Sequence, residues 1–129
     1  MASAPPAKVN LAAAFAAFDE RWSPRVAAEL NGQQVKLAKL EGPFVWHHHA
    51  EEDELFLVVH GRLTLRFRDG DTALEDVTLE AGEMLVVPRG VEHMPVADGE
   101  CHVLLFEPAA TLNTGNVENA RTVRDLKRV

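Results

Sequence analysis

A chain of 129 residues with 47% hydrophobic content is long enough to form one domain around its own core. Its net charge of -7 and pI near 5.3 argue against a nucleic-acid or anionic-membrane partner, since either needs concentrated positive charge to neutralise phosphates, so small molecules are the expected ligands. The single cysteine, Cys101, has no partner for an intramolecular disulfide, which leaves packing or a metal to hold the fold and suits a reducing compartment, the cytoplasm.

The first nine residues, "MASAPPAKV", are small and proline-bearing and read as a poorly ordered arm. Asn10 is a candidate N-cap, and Leu11, Phe15, Phe18 and Trp22 recur at helical spacing, which predicts a short amphipathic helix ended by "SPR". The eight apolar residues "LAAAFAAF" match a signal-peptide core in length. However, "FDERW" stands where a small-residue cleavage site belongs and only Lys8 precedes the run, so secretion is not expected. No run approaches the roughly 18 to 20 apolar residues of a membrane span.

Beyond Ser23 the apolar period shortens toward two, and turn residues recur every eight to twelve positions, the rhythm of an antiparallel β protein. "RVAAEL-NG-QQVKLAKL" reads as a hairpin, because Asn31-Gly32 suits a turn that needs positive φ at both central positions. Further candidate strands are "GPFVWHHH", "ELFLVV", "RLTLRF", "ALEDVTL", "EMLVVP", "EHMPVA" and "CHVLLFEP", with "HG", "RDGD", "EAGE", "PRG" and "ADGE" as breaks. Seven to nine short strands without intervening helices form a sandwich or a small barrel. The final stretch, "TLNTGNVENARTVRDLKRV", loses the alternation; it is expected to wrap the surface, form a short helix or lie across a second subunit. The expected division is therefore arm and helix over 1–22, barrel over 23–108 and polar tail over 109–129.

The stretch "HHHAEEDE" carries the chemistry. On a strand, residues two apart share a face at about 6.5 to 7 Å, so His47 and His49 point one way and Trp46 and His48 the other. Two imidazoles on one face can converge on an ion, but a stable site needs further ligands from elsewhere. Glu54 opens an apolar strand, where a carboxylate is costly to desolvate without a partner, whereas Glu51, Glu52 and Asp53 belong to a solvated loop. A fourth ligand is offered by "GEMLVVPRGVEHMPVA", in which Gly82 and Gly90 mark turns, Pro88 ends a strand and His93 begins the next with its side chain free to face inward.

His47-x-His49-x4-Glu54-x6-Gly61 resembles the first sequence motif of the cupins, and Gly82-x5-Pro88-x-Gly90-x2-His93 resembles the second; together they span residues 42–97. Two departures are visible: Gly42 lies one residue closer to His47 than the usual pattern, and Ala97 stands where an asparagine closes the second motif. The resemblance implies an all-β fold, a double-stranded β-helix or jelly-roll barrel preceded by the short N-terminal helix. It also implies a divalent metal held by His47, His49, Glu54 and His93, the same four residues that strand parity and loop position select. Small one-barrel cupins resemble one another in forming homodimers through sheet edges, so a homodimer is expected.

Nitrogen and oxygen ligands suit Fe, Mn, Ni, Zn, Co or Cu, and a six-coordinate ion would keep two positions for water or substrate. His48 is expected to be structural or subunit-facing, and His60 and His102 packed or solvated. Parity places Val45, Phe56 and Val58 inside the barrel and Met94 and Val96 behind His93. Phe44, Trp46, Leu65, Phe67, Leu85, Val87 and Leu105 are further wall candidates. Arg62, Arg66 and Arg68 share one strand face that either binds an anion or is solvated, and Arg89 is near the expected barrel mouth. The chain has no tyrosine, which excludes phenolic acid-base chemistry. Two functions follow as expectations. One is a metal-dependent enzyme on a small organic molecule, oxygenase-like or isomerase-like, with Glu54 as a candidate base. The other is a non-catalytic barrel that binds or senses a small ligand.

Overall fold

The computed structural model describes residues 4–129. Residues 4–9 are exposed and outside regular structure, and residues 1–3 of the predicted arm lie outside the described residues. Asn10 caps helix α1 (Leu11–Ala16), its Oδ1 accepting from the Ala13 N–H at 2.9 Å. The helix stops at Ala16, short of Phe18 and Trp22, so their helical spacing is a correction to the predicted element. Six residues cannot sustain a helix unaided, and contacts with the sheet decide where it ends. Lys39 Nζ donates to the Phe18 carbonyl at 2.6 Å, and the Trp22 N–H donates to the Lys39 carbonyl at 2.8 Å. Trp22, at φ 59°, stacks its ring on Phe44 with centroids 4.6 Å apart.

Seven strands follow: β1 (Arg25–Leu30), β2 (Gln33–Pro43), β3 (Glu54–Asp69), β4 (Thr72–Ala73), β5 (Val77–Glu80), β6 (Met84–Val87) and β7 (Glu92–Pro108). They pair antiparallel in the order β1-β2-β7-β3, and β6, β5 and β4 follow one another along the far edge of β3. This is the double-stranded β-helix barrel expected of the sequence. The β1–β2 hairpin turns through Asn31 and Gly32, both at positive φ. Val58, Leu63, Leu65, Val87, Cys101 and Val103 fill the interior, while Ala14 and Phe15 of α1, together with Phe18, pack against Leu37 on the outer face of β2. Both faces of β2 are consequently buried from Lys36 to Leu40.

The predicted breaks "HG" and "ADGE" are not turns: β3 and β7 each run straight through them. The register between the two strands shifts on either side of His60, and Gly61 takes φ 87°. A bulge there adds twist and bend to a strand that has to wrap around a barrel, and it uses the same glycine that a turn would use. "ALEDVTL" divides into β4 and β5. "GPFVWHHH" is strand only as far as Pro43; from residue 44 to residue 53 the single ladder contact is the His47–His93 bridge. The C-terminal stretch wraps the surface and returns to β1, where the Val26 N–H donates to Lys127 O at 2.9 Å and the Val129 N–H to Val26 O at 3.0 Å. Among the described residues no helix is long and apolar enough to cross a membrane.

Candidate metal centre

His47 and His93 are drawn together by a two-bond backbone bridge, His47 N–H to His93 O at 3.0 Å and His93 N–H to His47 O at 2.9 Å. The Gly90 N–H donates to His49 O at 2.8 Å, which ties the "PRG" turn of the second motif to the end of the first. Glu54 enters as the first residue of β3 with its side chain on the same inward face as Phe56 and Val58.

All four side chains are buried, and one ligand atom from each lies within 4.8 Å of the others. Glu54 Oε1 stands 3.3 Å from His49 Nε2 and 3.5 Å from His93 Nε2. Donors around one ion at about 2.1 Å are roughly 3 Å apart when adjacent and about 4.2 Å apart when opposite, so the group is sized for a metal. The Nδ1 atoms of His47 and His93 donate to the carbonyls of Val45 and Val91 at 2.9 Å each, the tautomer that leaves each Nε2 lone pair turned toward the cluster. His49 Nε2, Glu54 Oε1 and His93 Nε2 are buried without a well-formed hydrogen bond. Three orphaned polar atoms facing one another would be costly in a dry interior, and a cation between them satisfies all three. The residues present therefore fit a divalent ion.

Electrostatics favour the ligating forms. Burial, reinforced by His93, pushes the His47 imidazole down to about 4, so it stays neutral and able to ligate near neutral pH. Burial works to raise Glu54, but the neighbouring Glu107 carboxyl and the His49 and His93 rings outweigh it and hold the carboxylate well below its usual range.

The sequence reading did not single out Glu107 or Lys36. Lys36 and Glu107 are 1% and 2% exposed, and Lys36 Nζ donates to Glu107 Oε1 at 2.9 Å and to the Thr111 carbonyl at 3.2 Å. Burial and the adjacent Glu54 carboxylate push Glu107 well above the ordinary carboxylate range, against the pull of Lys36. Parity was the available signal: Glu107 continues the inward series Cys101, Val103, Leu105, and Lys36 shares a face with Ala38 and Leu40.

Beside the cluster a cleft enclosing about 360 Å³, open solvent at its mouth included, is walled by Trp22, Leu40, Phe44, Phe56, Pro95 and Asn113 and reaches His47 and Glu54. Phe56 and Val58 face inward as parity requires, and Met94 and Val96 lie on the opposite side from the buried His93. Val45 is a correction. Phe44 packs against the interior and presents its face to the edge of His47, because the chain leaves the sheet at Pro43 and strict alternation lapses there. Trp46 is outside the barrel, beneath the guanidiniums of Arg66 and Arg68. The arginine face is paired with carboxylates, Arg62 with Glu80, Arg66 with Asp76 and Arg68 with Glu92. Arg89 lies beside Asp53 on the surface, whose Oδ1 accepts the Arg89 N–H at 2.8 Å. His60 and His102 sit on the outer face with ring centroids 5.0 Å apart, and His102 stacks on Phe15.

An antiparallel jelly-roll barrel that gathers three histidines and one glutamate at its inner wall defines a cupin-type β-barrel with a candidate metal centre. The profile of the Cupin_2 family, described as "Cupin domain", matches residues 32–107, and the chain belongs to that family. A cupin-2 domain containing protein from Shewanella frigidimarina NCIMB 400 superposes with TM-score 0.72 at 50% identity, over 78% of this chain and 93% of the other. The uncharacterized protein YdbB of Bacillus subtilis (strain 168) is 37% identical over 84 residues, 65% of this chain and 71% of its own length. The barrel also superposes with TM-score 0.70 on hydroquinone 1,2-dioxygenase from Sphingomonas sp. TTNP3 with 4-hydroxybenzoate bound; at 19% identity, over 78% of this chain and 31% of that one, the likeness is one of fold.

Proposed function

We propose that the protein is a divalent-metal-dependent enzyme acting on a small, largely apolar organic molecule by oxygenase-like or isomerase-like chemistry, with His47, His49, Glu54 and His93 as the metal ligands. The observation that carries this reading is the set of three buried, unpartnered ligand atoms aimed at one point. A transition metal bound there supplies Lewis acidity and, in the case of iron, reactivity toward oxygen. The chain's own residues do the rest. The Nδ1 bonds of His47 and His93 fix their rings, and Glu54 is kept ionised as a ligand and candidate base. Trp22, Phe44, Phe56 and Pro95 exclude water and shape a slot for an apolar body. Among the described residues no cationic side chain lines that slot, so two oxygen donors on an otherwise uncharged skeleton match it better than a molecule with a second, remote carboxylate.

Metal analysis of protein purified without chelator, compared with His49→Ala, tests the centre. One ion per chain in the native protein and almost none in the variant are expected, and a metal-free native protein defeats the reading. Ferrous protein is then assayed for oxygen uptake and product with small diketones, phenols and keto-sugars. Ligand-induced stabilisation without turnover favours the binding or sensing alternative.

The homodimer is proposed on the uncovered part of the outer sheet face. Met84 and Val86 are 62% and 50% exposed and pair across the ladder with Leu57 and Leu55, which in turn oppose Leu104 and Phe106. Such a continuous apolar row is the kind of surface an association covers. Light scattering should give twice the 14.2 kDa chain mass for the native protein and a monomer for Met84→Glu/Val86→Glu, and a native monomer refutes the dimer.

A further inference from the structure

The family match ends at residue 107, yet the segment that follows reaches back to the candidate metal centre. Asn116 meets His48, the residue between two of the four ligands, with both backbone groups engaged. The His48 N–H donates to Asn116 Oδ1 at 2.9 Å, and the Asn116 N–H donates to His48 O at 3.1 Å. Gly115 runs in direct contact with the same stretch: at φ 56°, an added Cβ would lie 2.2 Å from His48 O and 3.1 Å from His47 Cδ2. No side chain fits between this segment and the ligand-bearing chain.

The segment is itself braced. Asn113 Nδ2 donates to Arg121 O at 2.7 Å and its Oδ1 accepts the Val123 N–H at 2.9 Å, so this amide side chain at the wall of the cleft is committed to the loop. Thr114, fully buried, shares a 2.7 Å hydrogen bond with Thr122. Arg121 anchors the far side, donating to Pro43 O at 2.7 Å with its guanidinium over the Trp22 and Phe44 rings.

The need for such a brace follows from the fold. Residues 44–53 carry His47 and His49 but lie outside the strands, with only the His47–His93 bridge as ladder support. Metal ligands must be held to within about half an ångström; the backbone of His47 and the carbonyl of His49 are tied to the second motif, which leaves the His48 peptide groups between them to be fixed from elsewhere. A strand neighbour would normally supply the paired donor and acceptor, and here Asn116 supplies them from the opposite end of the chain.

We infer that Asn116 is a positioning residue for the candidate metal centre: through the His48 backbone it sets the placement of His47 and His49, and the loop from Asn113 to Arg121 is an added wall of the site. The inference rests on the metal reading only for its consequence, since the brace itself is a property of the metal-free chain.

The test uses the full chain with two substitutions. Asn116→Ala removes the Oδ1 acceptor, and Asn116→Asp retains it. In metal-free protein, amide hydrogen exchange at His48 should accelerate at least about tenfold in Asn116→Ala and return toward the native rate in Asn116→Asp, with the urea midpoint nearly unchanged. In a chelator competition with Co²⁺ or Zn²⁺, Asn116→Ala should bind the ion about tenfold to a hundredfold more weakly, the usual effect of removing a group that orients a ligand. Native exchange at His48 in Asn116→Ala overturns the brace whatever the metal data show. Accelerated exchange with native affinity overturns its role in positioning. Failure of the native protein to bind either ion defeats the metal reading and with it the positioning role, while the exchange result still judges the brace.

Discussion

Gly61 and Gly82 share φ 87°, and they differ in what surrounds them. Alanine in the left-handed region costs about 1 to 2 kcal/mol at either position. At Gly82 nothing lies within 4 Å of the added methyl, so that cost is the whole effect. At Gly61 the methyl would lie 2.6 Å from the Glu100 carbonyl oxygen and 3.1 Å from the Cys101 Cα. Both atoms belong to β7, which is hydrogen-bonded to β2 on one side and β3 on the other, so they retreat only if the sheet shifts. Forcing a group into a packed space adds about 1 to 3 kcal/mol. Gly61→Ala is therefore expected to lose about 2 to 5 kcal/mol and Gly82→Ala about 1 to 2 kcal/mol. Urea titrations of the metal-free variants, followed by tryptophan fluorescence, measure the difference. Equal losses within about 0.5 kcal/mol would refute the argument that the close approach of β3 to β7, and not backbone conformation alone, demands glycine at the bulge.

Lys36→Met leaves the buried, protonated Glu107 carboxyl without its hydrogen-bond partner and should cost about 1 to 3 kcal/mol, whereas Lys36→Met/Glu107→Leu should cost less than the single change; the reverse order in urea melts would contradict the pairing. Unfolded His47 takes up its proton near 6.5 and the folded side chain only near 4, so between these values the unfolded state holds more protons and acidification destabilises the metal-free protein. The full shift amounts to about 3 kcal/mol, present above pH 6.5 and lost on approach to pH 4, and His47→Gln should flatten that part of the stability–pH curve. His60→Ala and His102→Ala, both on the outer face, should leave metal content at the native level, and loss of the ion from either would move the centre elsewhere.

Local pattern carries a good deal of this molecule. Asn10 marks the helix start and Asn31-Gly32 the hairpin, because a cap and a two-residue turn each depend on a few neighbouring residues; the spacing of His47, His49, Glu54 and His93 marks the group that the barrel gathers although His47 and His49 lie beyond the end of β2, where parity no longer applies. Where the chain departs from that reading, the cause is a contact from far along it. Phe18 and Trp22 keep a helix's spacing but are captured by β2, and the glycine at 61 bends a strand where it could equally have ended one. Phe44 takes the inward place assigned to Val45 once β2 has ended. Parity turns Lys36 and Glu107 inward, but the pairs Lys36 with Glu107 and Asn116 with His48 are separated by 71 and 68 positions, and no local periodicity reports either pairing. Those pairings exist because closing the sheet into a barrel buries both faces of β2 and brings the last segment of the chain against the ligand loop, where each buried polar group must find its partner in space.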